Sequence, residues 1–96
     1  MGKVKYDFTA RVWQHSAGWY FVSLPKKFSE EIRENFKSLE EGWGRLKAVA
    51  KLGSTEWKTA IWFDAKQGTY LLPIKSEIRK KEKIEAEEEI DLSVLI

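Results

Sequence analysis

Gly18-Trp19-Tyr20-Phe21-Val22-Ser23-Leu24-Pro25, followed by Ser29-Glu30-Glu31-Ile32-Arg33, returns in shortened form as Gly68-Thr69-Tyr70-Leu71-Leu72-Pro73, followed by Ser76-Glu77-Ile78-Arg79. Each copy is an aromatic strand, a Leu-Pro step and a charged amphipathic segment. A repeated strand, proline and helix unit implies two halves sharing one core. The expected fold is mainly β with two short helices: a duplicated strand-helix-strand unit closed into a barrel, with Pro25 and Pro73 ending strands and aiming the helices at opposite ends.

Working outward from these copies, Val4, Tyr6, Phe8, Ala10 and Val12 alternate with Lys3, Lys5, Asp7, Thr9 and Arg11. A period of two with one apolar face predicts a strand. Residues 14 to 18 have turn composition, so Trp19 to Leu24 is expected antiparallel to that strand. Both of its faces are apolar, which predicts cover on both sides. Pro25 or Ser29 should begin the first helix, since proline fits the first turn and serine caps it. Phe28, Ile32, Phe36 and Leu39 form its apolar stripe, and Gly42 and Gly44 are expected to end the element.

Leu46, Ala48, Ala50 and Leu52 predict a third strand with small inner residues, and Arg45, Lys47, Val49 and Lys51 fall on its outer face. Trp57 to Phe63 and Tyr70 to Ile74 are the next two strands. Ser76 is the expected cap of a helix reaching about Ile84, with Glu77 early and Lys80, Lys81 and Lys83 late, which suits the helix dipole. Ile90, Leu92, Val94 and Ile96 alternate into a last strand.

Ninety-six residues with 43% hydrophobic and 14% aromatic content suffice for one domain, residues 1–96, with one core. Trp13, Trp19, Trp43 and Trp57 are expected to pack that core or plug the barrel ends. Without cysteine there is no disulfide, thiolate metal site or thiol nucleophile, and a cytoplasmic location is the default expectation. No apolar run approaches a membrane span or a signal-peptide core, so a soluble, unprocessed chain is expected. A net charge of +2 gives little overall steering toward nucleic acid or membrane.

Phe8 to Trp13, Gly18-Trp19-Tyr20-Phe21-Val22 with Leu24-Pro25, Trp57-Lys58-Thr59, Gly68 to Lys75 and Ile78-Arg79-Lys80, in unbroken order, resemble a small prokaryotic family known as domain of unknown function 1905. The resemblance covers residues 4 to 96. It implies a double-split β-barrel, a pseudobarrel capped by helices, and no assigned activity. Two departures accompany it. Ala86-Glu87-Glu88-Glu89 stands where the family tends to carry a Gly-Asp turn, and the second domain that some members carry, associated by name with bacteriocin protection and an outer-membrane porin, is not expected from these 96 residues. The implied architecture is also similar to that of swapped-hairpin transition-state regulators that bind DNA.

Catalytic constellations are thin. His15 is the sole histidine, no serine sits in a nucleophile elbow, and paired glutamates read as solvated faces. Asp7 and Asp64, in or beside aromatic strands, are the carboxylates that desolvation could turn into a general base. Basic residues interleaved with a ring form a better candidate. Arg45, Lys47 and Lys51 share one strand face and Lys58 and Trp62 one face of the next, so pairing of the two strands would make a cationic strip with a stacking ring.

The leading expectation is a monomeric, non-enzymatic binding or interaction module, without metal or cofactor, for a small anionic ligand or a protein partner. Sequence-tolerant nucleic-acid binding through the same five residues is the alternative, and a small enzyme using a carboxylate base the second.

Overall fold

The computed structural model describes residues 4–16 and 18–96. Lys3, assigned above to the first strand, and Ala17, in the turn, lie outside the described residues. In chain order the elements are β1 (Lys5–Arg11), β2 (Trp13–Gln14), β3 (Tyr20–Ser23), α1 (Lys26–Phe36), β4 (Arg45–Leu52), β5 (Thr55–Asp64), β6 (Thr69–Pro73), α2 (Ser76–Glu82) and β7 (Glu89–Leu95). The strands form one antiparallel sheet in the order β1-β7-β4-β5-β6-β3-β2.

The predicted first strand is split at Val12, and the split shapes the sheet. Lys5–Arg11 pairs with β7, whereas Trp13–Gln14 pairs with β3, so the two ends of the sheet are consecutive pieces of one segment. The sheet therefore curls into a half-barrel. Val12 is fully buried, its N–H donates to Glu88 O at 2.8 Å, and its carbonyl accepts from Glu87 N at 2.7 Å. Glu87 takes φ 72, the left-handed position that a glycine would hold at lower cost. That is how the corner before β7 turns without a glycine.

Alternation decides the two faces. Tyr6, Phe8, Val22, Leu46, Ile61, Tyr70, Leu72 and Val94 point into one buried cluster, joined by Ile32 from α1 and Ile78 from α2. Full burial of a side chain such as Ile32 is worth roughly 1.5–3 kcal/mol. Phe28 and Phe36 extend the α1 stripe as expected. Leu39 does not; it is 65% exposed, because α1 ends at Phe36 and a single 3-10 turn (Lys37–Leu39) breaks the helical phase before Gly42 is reached.

β3 and β6 pair with Val22 opposite Leu72, and the pairing is reciprocal: Leu24 N donates to Tyr70 O and Ile74 N to Tyr20 O, both at 2.9 Å. Tyr20 thus stands across from Ile74 and Leu24 across from Tyr70, and the two-fold relation between the strands equates Tyr20 with Tyr70 and Leu24 with Ile74, so the two Leu-Pro steps are not equivalent. Pro25 holds the N-cap position of α1, whereas Pro73 is the last residue of β6, two residues ahead of Lys75 at the α2 N-cap. Neither serine makes a capping hydrogen bond. Ser76 is simply the first residue of α2, and Ser29 is buried inside α1.

Each helix instead covers the other segment's tyrosine. Arg79 of α2 lies over the Tyr20 ring at 3.7 Å, a cation–π contact. From α1, Ser29 Oγ accepts the Tyr70 backbone N–H at 3.0 Å. Glu40 then accepts the Tyr70 hydroxyl at 2.6 Å and Arg33 Nη1 at 2.7 Å, while the Arg33 guanidinium sits 4.0 Å from the centre of the Phe63 ring.

Two outcomes are expected from this network. Ser29→Ala leaves the Tyr70 N–H buried without an acceptor, and should cost about 1–3 kcal/mol in denaturant unfolding; an unchanged midpoint would show that the bond contributes nothing net. Burial, followed by the hydrogen bond to Glu40, raises the Tyr70 phenol pKa above its ordinary value. The native state thus holds the proton more tightly than the unfolded chain. This stabilisation is complete below about pH 10 and is lost as pH climbs above it. Alkaline thermal melts should show the loss in the native protein, and a smaller one in Tyr70→Phe.

Candidate functional site

β4 and β5 are the longest strands, and their register places Arg45 opposite Trp62, Lys47 opposite Ala60, Val49 opposite Lys58 and Lys51 opposite Glu56. Residues directly opposite share a face, so the predicted strip forms on the outer face of the sheet. A groove of about 750 Å³ opens there. Ala60 and Val49 lie in its middle, with Trp62, Pro73 and Lys75 toward β6 and Leu95 and Ile96 of the β7 end on the other side. Small Ala60 between the long side chains of Lys58 and Trp62 leaves the concavity open.

Arg45, Lys47, Lys58 and Trp62 of the predicted site all line this groove, and Lys75 joins them. Lys75 lies just beyond β6, at the N-cap of α2, two residues after Pro73 of the groove wall. Lys51 does not belong. It lines a separate shallow depression with Lys5, Asp7, Thr9, Asp91 and Ser93, because two further residues along β4 carry it past the groove toward the β1–β7 ladder.

The cations are not equally free. Glu41 accepts a hydrogen bond from Arg45 Nη1, and its other carboxylate oxygen is 3.7 Å from Lys47 Nζ. Lys58 and Lys75 have no carboxylate within ion-pair distance among the described residues. Arg45 also lies 5.6 Å from the centre of the Trp62 ring, within cation–π range. Trp62 keeps 37% exposure, enough to offer part of its surface to a ligand.

Glu41 is placed by a tight turn. Glu41 N donates to Arg45 O at 2.7 Å, and the intervening Gly42-Trp43-Gly44 turn presses onto β5. Gly44 has φ 70, a conformation that favours glycine, and a Cβ there would stand 3.1 Å from Phe63 Cβ, close enough that Phe63 would have to shift by a few tenths of an ångström. Trp43 itself takes φ 68 and is 91% exposed. The expectation that it plugs the core is thus wrong, because this backbone turns its indole outward.

Trp13 and Trp19 also leave the core. Trp13 pairs with Phe21 on the outer face, its Nε1 donating to Ser23 Oγ at 3.0 Å, and Trp19 is 60% exposed. The outer side of β3 is therefore not covered as expected. Trp57 does pack against the core. Sequence reasoning missed this outward pair because a strand with apolar residues on both faces does not reveal which face is buried.

The candidate general bases have structural partners. Asp7 accepts from the Ser93 hydroxyl and is 3.7 Å from Lys5 Nζ, while Asp64 accepts the Lys66 backbone N–H at 3.0 Å and closes the β5–β6 turn. His15 stands edge-on to Trp13, with ring centres 6.2 Å apart. Among the described residues no group of His, Asp or Glu is arranged to hold a metal ion, and no helix is long and apolar enough to cross a membrane.

No curated protein matches the chain. A family model described as "Domain of unknown function (DUF1905)" matches residues 8–94, which include every groove-lining residue except Leu95, the last of β7, and Ile96. With that match spanning nearly its whole length, the chain belongs to the DUF1905 family.

Proposed function

We propose that this protein is a binding module whose ligand is a small anion carrying a flat ring, of the nucleotide class, held in the groove by Arg45, Lys47, Lys58 and Lys75 with Trp62 as the stacking surface. The observation that carries this reading is the gathering of these residues about Ala60 in one concavity. Charge-assisted hydrogen bonds to phosphate are stronger than neutral ones, and a ring on an indole adds stacking energy. Lys58 and Lys75, free of carboxylates, are the first groups an incoming anion meets.

The same reading takes the fold as a single domain of residues 1–96 with the double-split barrel architecture. Support comes from the split of the first strand at Val12 and from the reciprocal β3–β6 pairing, which relates Tyr20 to Tyr70 as a duplicated unit would. Two such units in one chain supply both halves of the sheet, which favours a monomer. A cytoplasmic location fits a cysteine-free chain binding a nucleotide-like anion.

Titration with thymidine monophosphate, followed by tryptophan emission, tests the groove. Lys58→Ala should weaken binding about tenfold, the scale of one hydrogen bond to a charged group. Lys51→Ala, outside the groove, should change it less than about twofold. Equal losses from both variants would mean that the overall field and not the groove binds the ligand. Glu41→Gln should tighten binding severalfold, since the internal carboxylate competes for Arg45 and Lys47. Weaker binding in that variant would instead make Glu41 the group that positions Arg45.

A further inference from the structure

The outer face does not end at the groove. Pro73, on the groove wall, is the direct cross-strand partner of Phe21, and Phe21 is in turn the partner of Trp13 on β2. The Phe21 and Trp13 ring centres are 5.1 Å apart. Trp19, two residues before Phe21 and on the same face, lies parallel to it within 10° at 6.2 Å. The hydrogen bond from Trp13 Nε1 to Ser23 Oγ fixes the orientation of one end of this platform. Trp62 is opposite Leu71 on β6, whose own β3 partner is Ser23, so the rings of β2 and β3 reach the groove through Pro73, two residues along β6 from Leu71.

We infer that the ligand is a single-stranded nucleic acid crossing the strands, with its phosphates in the Arg45, Lys47, Lys58 and Lys75 groove and its following bases stacked on Phe21, Trp13 and Trp19. The inference rests on the groove reading above and extends it. From β5 to β2 is three strand steps of about 4.8 Å, or about 14 Å. A base with its own phosphate does not engage cations at one end of that span and indoles at the other; a chain of nucleotides does. A cationic groove that leads onto aromatic faces is the arrangement by which single strands are held without sequence preference, because every base has a π-face. An acidic peptide would satisfy the cations but leave the three rings unused.

Tryptophan emission during titration with thymidine monophosphate, dT8 and rU8 reads the extension directly. The expected result is dT8 or rU8 binding at least tenfold more tightly than the mononucleotide, the two oligomers showing which sugar the track takes. The slope of log affinity against log salt should be about −3 for four phosphate contacts. Trp19→Ala should lower the ratio of oligomer to mononucleotide affinity about tenfold, the loss of one stacked base, and Trp19→Phe should restore most of it. Trp19 is exposed, so the fold should survive; unchanged thermal unfolding verifies that, and a Phe21→Leu variant repeats the test from inside the platform.

Several results overturn the inference. Mononucleotide binding that Lys58→Ala weakens, with oligomers no tighter, removes the track and leaves the groove. Tight oligomer binding that neither Trp19→Ala nor Phe21→Leu alters removes the platform. Displacement of dT8 by an oligoglutamate of equal charge, with no change in its tryptophan emission signature, assigns the face to an acidic peptide. Failure of the mononucleotide and both oligomers to bind removes the groove reading as well.

Discussion

Val22 and Leu72 face each other at the centre of a short antiparallel pair, flanked by two hydrogen bonds that mirror one another, Leu24 N to Tyr70 O and Ile74 N to Tyr20 O. Everything else hangs from this contact. It joins β3, which leads β2 to one end of the sheet, to β6, which leads through β5 and β4 toward the other end. It also fixes where each helix begins. The chain leaves β3 into α1 and β6 into α2, and each helix crosses to cover the opposite tyrosine, α1 through Ser29 on Tyr70 and α2 through Arg79 on Tyr20. A slip of one residue would turn every side chain of these strands to the other face and uncouple both helices from the core.

Curling follows from a second constraint, the handover at Val12. With β1 committed to β7 and β2 committed to β3, one segment belongs to both ends of the sheet. The core fills the inside of this curl, and Arg45, Lys47, Lys58 and Trp62 stand on its outer side. The groove is opened there by the small side chain of Ala60 between Lys58 and Trp62.

Glu41 shows how the site is held when no ligand competes. Its carboxylate neutralises Arg45 and Lys47, while the turn that carries it sets Trp43 into solvent at a backbone angle costly for a bulky side chain. Lys58 and Lys75 stay unneutralised among the described residues. Charge is thus graded across the groove, from paired at the Glu41 side to free at the β5 and β6 side.

Periodicity made most of the fold legible. Alternation from Tyr6 to Val12 and from Leu46 to Leu52, and the four-residue steps of Phe28, Ile32 and Phe36, appear as strands and helix at those places because local geometry repeats at a fixed interval. The β4–β5 strip was legible for the same reason: residues two apart share a face, and paired strands share it too. What the pattern could not supply was orientation and termination. Apolar residues on both sides of Trp19 to Leu24 do not say which side is buried, so the pattern alone does not turn Trp13 and Trp19 outward; of Pro25 and Ser29 it is Pro25 that stands at the start of α1, and Ser76 does not cap α2. The sequence by itself determined which residues lie on a common face, since that depends only on spacing along the chain. Only the tertiary structure decided which faces meet: that Lys75 enters the groove, that Lys51 leaves it, and that an aromatic strand turns its rings to water, because those outcomes depend on pairing and register set by partners distant in sequence.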